Sequence, residues 1–173
     1  MKETLEVINQ MQAEGVIGRY AIGGAVGATF YLEPSATLDI DIFVALADPP
    51  GSPLVTLGPV YDYLGSRGYK AEGEHVLIGG WPVQYLPASG ALEQEAVEQA
   101  VETEVEGART RVMTAEHLVA IALRTGRAKD FARILEFVES GVLDAAKFDC
   151  VLKRHGLIER WEQFETKFLR EDR

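Results

Sequence analysis

The sequence predicts a mixed α/β domain with a small mixed β-sheet and flanking helices, followed by a C-terminal helical segment. Two short apolar runs near the N-terminus predict strands; the first ends at a pair of glycines and the second carries two acids in alternation. Apolar residues at helical spacing then fill residues 114–173. Because the chain has 173 residues, we expect one domain over residues 1–113 and a helical segment over residues 114–173 that packs on it.

The first half of the chain is expected to alternate between helices and strands that are separated by glycines and prolines. A first helix over residues 2–14 has Leu5, Ile8 and Met11 on one face and is closed by Gly15. The elements expected next are a strand over 16–22, a helix to about residue 32, a strand over 38–46, a helix that ends at residue 68, and strands over 69–72, 75–78 and 81–86. Residues 48–53 contain three prolines and one glycine and form the clearest loop.

The second half is expected to be mainly helical. Residues 91–106 contain six glutamates and no basic residue, which indicates an exposed helix that is either solvated or faces a partner. Residues 109–113 alternate as a last edge strand, and Thr114 is expected to cap the helix that follows. The remaining helices are expected over residues 115–125, 128–139, 145–155 and 157–168.

Two glycines and two acids are the candidate functional residues of the first domain. Gly23 and Gly24 follow a strand, where glycine allows a tight turn and a close approach of the backbone to a ligand. Asp39 and Asp41 are two residues apart on a strand, so both side chains lie on one face of the sheet. Adjacent carboxylates repel each other, and Mg²⁺ is held by one or two carboxylates plus substrate phosphates, so this pattern indicates a metal–nucleotide site.

The glycine pair, a helix and then Asp39-x-Asp41 within an apolar strand resemble the signature of the DNA polymerase beta-like nucleotidyltransferase superfamily. The spacing is closer to that of its small bacterial branches, such as the type IV abortive-infection toxins, than to that of the polymerases. Ser35 and Thr37 match the small polar residues usual before the acids. The resemblance covers residues 15–90 best. It implies that the glycine pair lies under the triphosphate, that Ser35 and Thr37 also bind the nucleotide, and that the two acids bind Mg²⁺.

The third carboxylate of that superfamily, often described as the base for the attacking hydroxyl, is expected on the strand over residues 81–86. By the strand alternation, Gln84 stands at this position. A glutamine carbonyl can ligate a cation weakly, but the side chain carries no charge and cannot act as a base. Glu72 or Glu74 is the alternative source of a third oxygen, and the sequence leaves open whether Gln84 abolishes catalysis.

Basic residues late in the chain are the second part of the expected site. Arg127-x-Lys129-Asp130 resembles the arginine and lysine–aspartate positions of the small nucleotidyltransferases, where they face the nucleotide. The alternative is a solvent-exposed helix face, because Lys129 and Arg133 are four residues apart.

Composition disfavours several other kinds of site. Cys150 is the single cysteine, which excludes an internal disulfide and a thiolate zinc cluster, and the three histidines have no ligand-like spacing. A P-loop and a Gly-x-Ser-x-Gly motif are both absent from the sequence. No apolar run approaches 18 residues and no signal-peptide pattern is present, so a cytoplasmic protein without a membrane partner is expected.

The net charge of −10 is unevenly distributed along the chain. Residues 1–106 contain 4 basic and 16 acidic residues, a net charge of −12, whereas residues 107–173 contain 13 basic and 11 acidic residues, a net charge of +2. An extended DNA-binding surface on the first part is therefore not expected. The phosphates of a bound nucleotide should meet Mg²⁺ and the basic residues of the second part.

The sequence supports two functional hypotheses. The first is a Mg²⁺-dependent nucleotidyltransferase that moves a nucleoside monophosphate from a nucleoside triphosphate (NTP) to a hydroxyl of an RNA end, a protein or a small molecule. The second is a catalytically impaired protein of the same fold that binds a nucleotide or a protein partner, as in a toxin–antitoxin pair. A third carboxylate beside the two acids would favour the first hypothesis, and Gln84 alone would favour the second.

Overall fold

The computed structural model describes residues 1–34, 39–46 and 56–170. Within these ranges the chain forms one seven-stranded mixed sheet with a core on each face, which confirms the predicted mixed α/β class. The predicted nucleotide-binding residues Ser35 and Thr37 and the loop expected over residues 48–53 lie outside the described residues.

The described residues form seven strands and eight α-helices. The strands are β1 (Tyr20–Ile22), β2 (Ile40–Val44), β3 (Ala71–Glu72), β4 (His75–Ile78), β5 (Trp81–Pro87), β6 (Val101–Val105) and β7 (Ala108–Val112). The helices are α1 (Lys2–Ala13), α2 (Gly24–Ala28), α3 (Gly58–Ser66), α4 (Ala91–Glu98), α5 (Ala115–Thr125), α6 (Ala128–Ser140), α7 (Ala145–Arg154) and α8 (Ile158–Phe164), the last continued by a π-helical turn over Glu165–Leu169. None of these helices has both the length and the apolar character that a membrane crossing requires.

β2, which carries Asp41 and follows directly on Asp39, is the middle strand of the sheet, whose order is β3-β4-β5-β2-β1-β7-β6. β2 is antiparallel to β1 and parallel to β5, and β1 is parallel to β7. The acids therefore lie at the part of the sheet where strand direction changes, with a core on each face. This placement gives them a fixed scaffold.

The two faces of β2 differ as the sequence alternation predicts. Ile40, Ile42 and Val44 are fully buried and pack with residues of α1 and α3 in one core. Phe43 belongs to the other core, which is built with residues of α4 to α8. Because successive side chains of a strand point to opposite faces, Asp41 shares the face of Phe43 and lies toward these later helices.

The glutamate-rich helix predicted over residues 91–106 is wrong in its second half. α4 ends at Glu98, and the residues after Ala100 form the edge strand β6. The strand is favoured because valine and threonine alternate with glutamates, and because Glu102 and Glu104 lie opposite two arginines of β7. β6 also covers the outer side of β7, so the prediction that residues 109–113 form an edge strand is wrong as well.

Other elements are shorter than predicted: β2 covers Ile40–Val44 rather than residues 38–46, and β3 covers Ala71–Glu72 rather than residues 69–72. β1 begins at Tyr20 rather than at residue 16, although Gly18 already donates a backbone hydrogen bond to the carbonyl of Ala45 at 2.7 Å. α2 ends at Ala28 rather than near residue 32. Later helix boundaries agree better, because local caps define them: the Thr114 hydroxyl accepts the backbone N–H of His117 at the start of α5, as predicted.

Glu95 joins three of the helices on the second face of the sheet. Its carboxylate accepts hydrogen bonds from Arg154 of α7 at 2.5 and 3.1 Å, from His117 of α5 at 3.1 Å, and from His155 at 3.0 Å. The hydrogen bonds from Arg154, with smaller contributions from the two histidines, hold the pKa of Glu95 at about 2. α4, α5 and α7 are therefore tied together beneath the acidic strand.

The β6–β7 turn and helix α3 give a matched pair of glycine substitutions. Gly107 has a φ of +83° in the turn, whereas Gly65 lies within α3, and a Cβ at either position would meet no other atom within 4 Å. We expect Gly107→Ala to lower the free energy of unfolding by about 1 kcal/mol, because a side chain disfavours the left-handed conformation. We expect Gly65→Ala to raise it by about 0.5–1 kcal/mol, because alanine is the better helix former.

Urea unfolding of the two variants and the wild type measures both changes. Equal effects of the two substitutions would contradict the assignment of the β6–β7 turn.

Candidate functional site

A cleft of about 300 Å³ opens between the helical face of the sheet and the turn that joins α5 to α6. Asp41 and Gln84 lie on its sheet side, and three arginines lie on its helical side: Arg124, Arg127 and Arg133. The cleft therefore places the second of the predicted acids opposite basic residues from a part of the chain more than eighty positions later.

Close contacts with β2 require a glycine at both positions of the pair. The backbone N–H of Gly23 donates to the carbonyl of Asp41 at 2.9 Å, and a Cβ on Gly23 would lie 2.6 Å from the ring of Phe43. Gly24 has a φ of +56°, and a Cβ there would overlap Oδ2 of Asp41. Only glycine at these positions lets the backbone lie directly against the Asp41 carboxylate.

The charge of Asp41 is disfavoured by its surroundings on the strand and favoured by those on the helices. Burial raises the pKa of the Asp41 carboxyl above its ordinary value of 3.8, and the neighbouring charge of Asp39 raises it further. The positive charges of Arg133, Lys129 and Arg127 lower it, in that order. The charges of the predicted residues Asp39, Arg127 and Lys129 therefore all act on Asp41, and Asp41 and Arg127 line the same cleft.

Asp130 holds the basic residues at the start of α6. Its carboxylate is buried, and its two oxygens lie 2.7 Å from Nε and 3.1 Å from Nη2 of Arg127. The backbone N–H of Arg127 also donates to Asp130, so this pair caps the helix. Arg133 lies 3.9 Å from the same carboxylate and lines the cleft, whereas Lys129 is solvent-exposed on the same turn.

A row of polar side chains crosses the sheet from Asp41. Asp41 pairs with Gln84 of β5, Gln84 with His75 of β4, and His75 with Glu72 of β3, so all four side chains lie on one face. Since strands are about 4.8 Å apart, Glu72 lies three strands and roughly 14 Å from Asp41. Glu72 is therefore too distant to complete a site with the two acids.

The position opposite Asp41 is held by an amide, as the strand alternation predicts. Nε2 of Gln84 donates to the carboxylate of Glu74 at 3.1 Å, so the remaining polar atom of this side chain is its carbonyl oxygen. Glu74 joins the row through this hydrogen bond, which one of its two carboxylate oxygens accepts. The sheet thus offers Asp41 and an amide in register, with Asp39 just before the strand.

His75 is the residue of this region that the sequence patterns did not identify. Its Nε2 lies 3.5 Å from Oδ2 of Asp39. The spacing of the three histidines along the chain gave no indication of this contact, because it depends on the pairing of β4 with β5 and of β5 with β2. The alternation of β4 alone assigns His75 to one face of its strand. It does not show that this face is the one that carries Asp41.

A hard divalent cation fits the donor atoms of the site. Carboxylate and amide oxygens are the ligands that Mg²⁺ prefers, and the space beside Oδ2 of Asp41 is kept open because Gly24 has no Cβ. Among the described residues no group of three or more His, Cys, Asp or Glu side chains is arranged to hold a metal ion by itself. Phosphate and water oxygens would therefore have to complete the coordination, as is usual for Mg²⁺.

Comparison with solved structures identifies the fold. The chain is similar to an antigenic nucleotidyltransferase-like protein from Paracoccidioides brasiliensis, with a TM-score of 0.53 and 16% identity over 93% of this chain and 91% of that one. It is also similar to ANT(2")-Ia in complex with adenylyl-2"-tobramycin, with a TM-score of 0.51 and 17% identity over 91% of this chain and 98% of that one. No protein-family model matches the sequence, and no curated protein matches it significantly.

These likenesses show that the chain shares the fold of these two proteins, which is the type of fold that the glycine pair and the two acids predict. At this level of identity they establish the fold alone. The resemblance to the small toxin branch stays a prediction, as do the roles of the site residues.

Substitution of Asp41 tests the electrostatics of the cleft without any ligand. The pKa of Asp41 is raised in the folded protein, so its ionised form destabilises the fold at pH 7. We expect Asp41→Asn to raise the free energy of unfolding at pH 7. This gain should shrink as the pH falls through the raised pKa toward the ordinary value of 3.8, where the wild type also becomes neutral.

Thermal melting between pH 4 and pH 8 measures this dependence. Asp62→Asn is the matched control, because Asp62 is exposed on α3 and should show no such pH-dependent gain. A loss of stability in Asp41→Asn at pH 7 would contradict the raised pKa.

Proposed function

We propose that the protein is a Mg²⁺-dependent nucleotidyltransferase that moves a nucleoside monophosphate from an NTP to a hydroxyl group. One observation carries the proposal: a partly buried Asp41, with Asp39 beside it, faces Arg127 and Arg133 across a cleft, and Lys129 on the same helix adds its positive charge. Acids that repel each other on one wall and cations on the other form an arrangement that a metal–triphosphate complex complements on both sides.

The sheet side of the cleft has the role of holding the metal. Asp39 and Asp41 hold Mg²⁺, which when bound neutralises phosphate charge and polarises the transferring phosphoryl group. The Gly23-Gly24 turn keeps the backbone close to the Asp41 carboxylate and leaves room for the triphosphate beside it.

The helical side of the cleft has the role of binding phosphate oxygens. The guanidinium of Arg127 is fixed by its two hydrogen bonds to Asp130, and it is the group best placed to orient the triphosphate. Lys129 and Arg133 add positive charge from the same helix. By fixing the triphosphate, these residues would align its α-phosphorus with the attacking hydroxyl, and alignment is a large part of catalysis in phosphoryl transfer.

Ser35 and Thr37 are proposed to bind the nucleotide as well, from their position in the sequence just before the acids.

The fold is consistent with nucleotidyl transfer. One protein of similar fold was solved with adenylyl-2"-tobramycin, a ligand that carries a nucleotidyl group. That ligand supports nucleotidyl transfer as the reaction class, and the acceptor of the present protein is a separate question.

A second candidate function follows from Gln84. An amide stands opposite Asp41 where a third carboxylate would act as the base, and Glu74 is hydrogen-bonded to that amide. This favours a protein that binds Mg²⁺ and a nucleotide with slow or no transfer, for instance one that senses a nucleotide or engages a partner protein of a toxin–antitoxin pair. The two functions share the binding site and differ in turnover.

Thermal melting with each of the four NTPs, with and without Mg²⁺, tests the shared binding site. A ligand at 100 times its Kd adds about 2.7 kcal/mol to stability, which corresponds to a rise in Tm of roughly 5–10 °C for a chain of this size. We expect such a rise in the wild type only when Mg²⁺ and an NTP are both present.

The same experiment on variants assigns the rise to the cleft. Asp41→Asn should melt higher than the wild type without ligand and show no rise with Mg²⁺ and NTP, whereas Asp62→Asn should behave as the wild type. An equal NTP-dependent rise in Asp41→Asn would overturn the assignment of the metal ligand. No rise in the wild type with any NTP would overturn the proposed function.

The variant Gln84→Glu distinguishes the two functions. It places a carboxylate in register with Asp41, so we expect a loss of about 1–2 kcal/mol in stability in the presence of EDTA and a larger stabilisation by Mg²⁺ than in the wild type. Gln12→Glu, exposed on α1, is the matched control and should change neither quantity.

Release of pyrophosphate from the NTP, measured in both proteins, then separates the functions. A higher rate in Gln84→Glu than in the wild type supports the impaired protein, and a high wild-type rate supports the enzyme. A Mg²⁺ response that is the same in both proteins would show that Gln84 and Asp41 do not share a metal site.

A further inference from the structure

A second cavity of about 400 Å³ lies on the far side of the α5–α6 turn, between that turn and α8. We call it the α8 groove. Arg160, Lys167 and Phe168 line it on the α8 side, Phe131 lines it on α6, and Thr125 lines both this groove and the cleft that contains Asp41. The two cavities therefore lie on either side of Thr125 at the end of α5.

The α8 groove is cationic although the chain as a whole is acidic. The residues that α8 and its π-helical turn contribute to the groove recur at helical spacing: Arg160, Gln163, Phe164, Lys167 and Phe168. Three glutamates of the same segment, at positions 159, 162 and 165, are not among the residues that line the groove. The helix thus turns its basic and aromatic residues into the groove.

The aromatic side chains of the groove form a packed cluster with exposed edges. The ring centroid of Phe168 lies 5.4 Å from that of Phe131 and 5.0 Å from that of Phe164. Phe131 and Phe168 are only partly buried, so the cluster presents apolar ring surface to the groove. A planar aromatic ligand can stack on such a surface, whatever its hydrogen-bonding pattern.

The two cations are held next to this ring surface. Nη1 of Arg160 donates to the backbone carbonyl of Arg124 at 2.7 Å, which fixes the guanidinium at the end of α5 and leaves other N–H groups for a ligand. Nζ of Lys167 lies 5.0 Å from the ring centroid of Phe168. Two cations beside exposed rings complement a ligand that has one anionic group and one aromatic ring.

From this arrangement we propose that the α8 groove binds the acceptor of the reaction and that the acceptor is a free nucleoside monophosphate. Its base stacks on Phe168 and Phe131, and its phosphate binds Arg160 and Lys167. This inference rests on the proposed nucleotidyl transfer and adds the substrate class of the acceptor. A ribose hydroxyl then points past Thr125 toward the cleft, because Thr125 lines both cavities.

In the transfer that follows, the NTP supplies both the nucleotidyl group and the leaving group. The ribose hydroxyl oxygen forms a bond to the α-phosphorus of the NTP, and the bond from that phosphorus to the oxygen bridging to the β-phosphate breaks. Pyrophosphate leaves with the electron pair, and the hydroxyl proton passes to water. The product is a dinucleotide joined by a phosphodiester.

A free nucleotide fits better than a nucleic-acid end for two reasons. The groove offers two cations, enough for one phosphate group, and its volume suits one nucleotide. In addition, residues 1–106 have a net charge of −12, which repels a polyanion that extends beyond the groove.

Titration with adenosine 5′-monophosphate (AMP) without Mg²⁺ tests the groove directly. Calorimetry gives the affinity, and the fluorescence of Trp161 reports locally, because this ring stacks on Phe164 at a centroid distance of 5.4 Å. We expect AMP to bind tighter than adenosine and tighter than ribose 5-phosphate. We expect Arg160→Gln/Lys167→Gln to weaken AMP binding at least tenfold, because two charge-assisted contacts are lost.

Matched variants separate the groove from general charge and packing effects. Lys70→Gln/Lys147→Gln removes two exposed positive charges elsewhere and should leave AMP binding unchanged. Phe168→Leu should weaken the binding of AMP but not of ribose 5-phosphate, and Phe30→Leu, on a side chain that is 37% exposed elsewhere, should weaken neither. Unchanged AMP affinity in both groove variants would overturn the proposal.

Two further measurements distinguish this inference from the proposed function. The Mg²⁺–NTP rise in Tm should persist in Arg160→Gln/Lys167→Gln; if the rise is present but AMP does not bind the wild type, only the acceptor inference fails. If AMP binds the groove but no NTP stabilises the cleft, the proposed function fails instead. A short single-stranded oligonucleotide that binds the groove at least tenfold tighter than AMP would overturn the free nucleotide in favour of a nucleic-acid end.

Discussion

Asp41 places a carboxylate on the helical face of the middle strand, where burial and the neighbouring charge of Asp39 both disfavour its ionised form. The cations that favour the ionised form come from α6, far along the chain. The glycine pair, β2 and α6 must therefore keep a fixed relation to one another. A Cβ at Gly24 would overlap the carboxylate, and loss of the α6 cations would remove the charges that offset its burial and the charge of Asp39. This electrostatic balance connects the sheet to the helical segment.

The helical side of that balance depends on Asp130. This residue is 1% exposed, and a buried carboxylate is tolerated only when it is paired and hydrogen-bonded. Its partner is Arg127, through both the guanidinium and the backbone N–H, so the start of α6 and the direction of the arginine are set by the same carboxylate. The cluster around Glu95 acts in a similar way beneath α4, α5 and α7. The helical wall of the cleft is thus positioned by the buried Asp130, and the helices that pack near it are tied together by the partly buried Glu95.

Local patterns in the sequence predicted the parts of this structure that depend on neighbouring residues. The alternation of β2, the Thr114 cap and the positions of Arg127 and Lys129 relative to Asp130 are all decided within a few residues. β6 was missed because its glutamates suggest a solvated helix until the arginines opposite them are known, and that pairing is made across the hairpin. His75 was missed because its contact with Asp39 needs the register of three strands. Single-sequence periodicity contains neither kind of information.

The division of charge along the chain explains why an amide stands opposite Asp41. The first 106 residues have a net charge of −12, and the strand already places two carboxylates on one face. A third carboxylate in register would add repulsion that the α6 cations, which are shared with Asp130, would have to offset without a ligand. Gln84 keeps an oxygen in that position without the charge. In the proposed reaction the acidic sheet supplies the metal ligands and the helical segment supplies the phosphate ligands, so neither part of the chain forms the site alone.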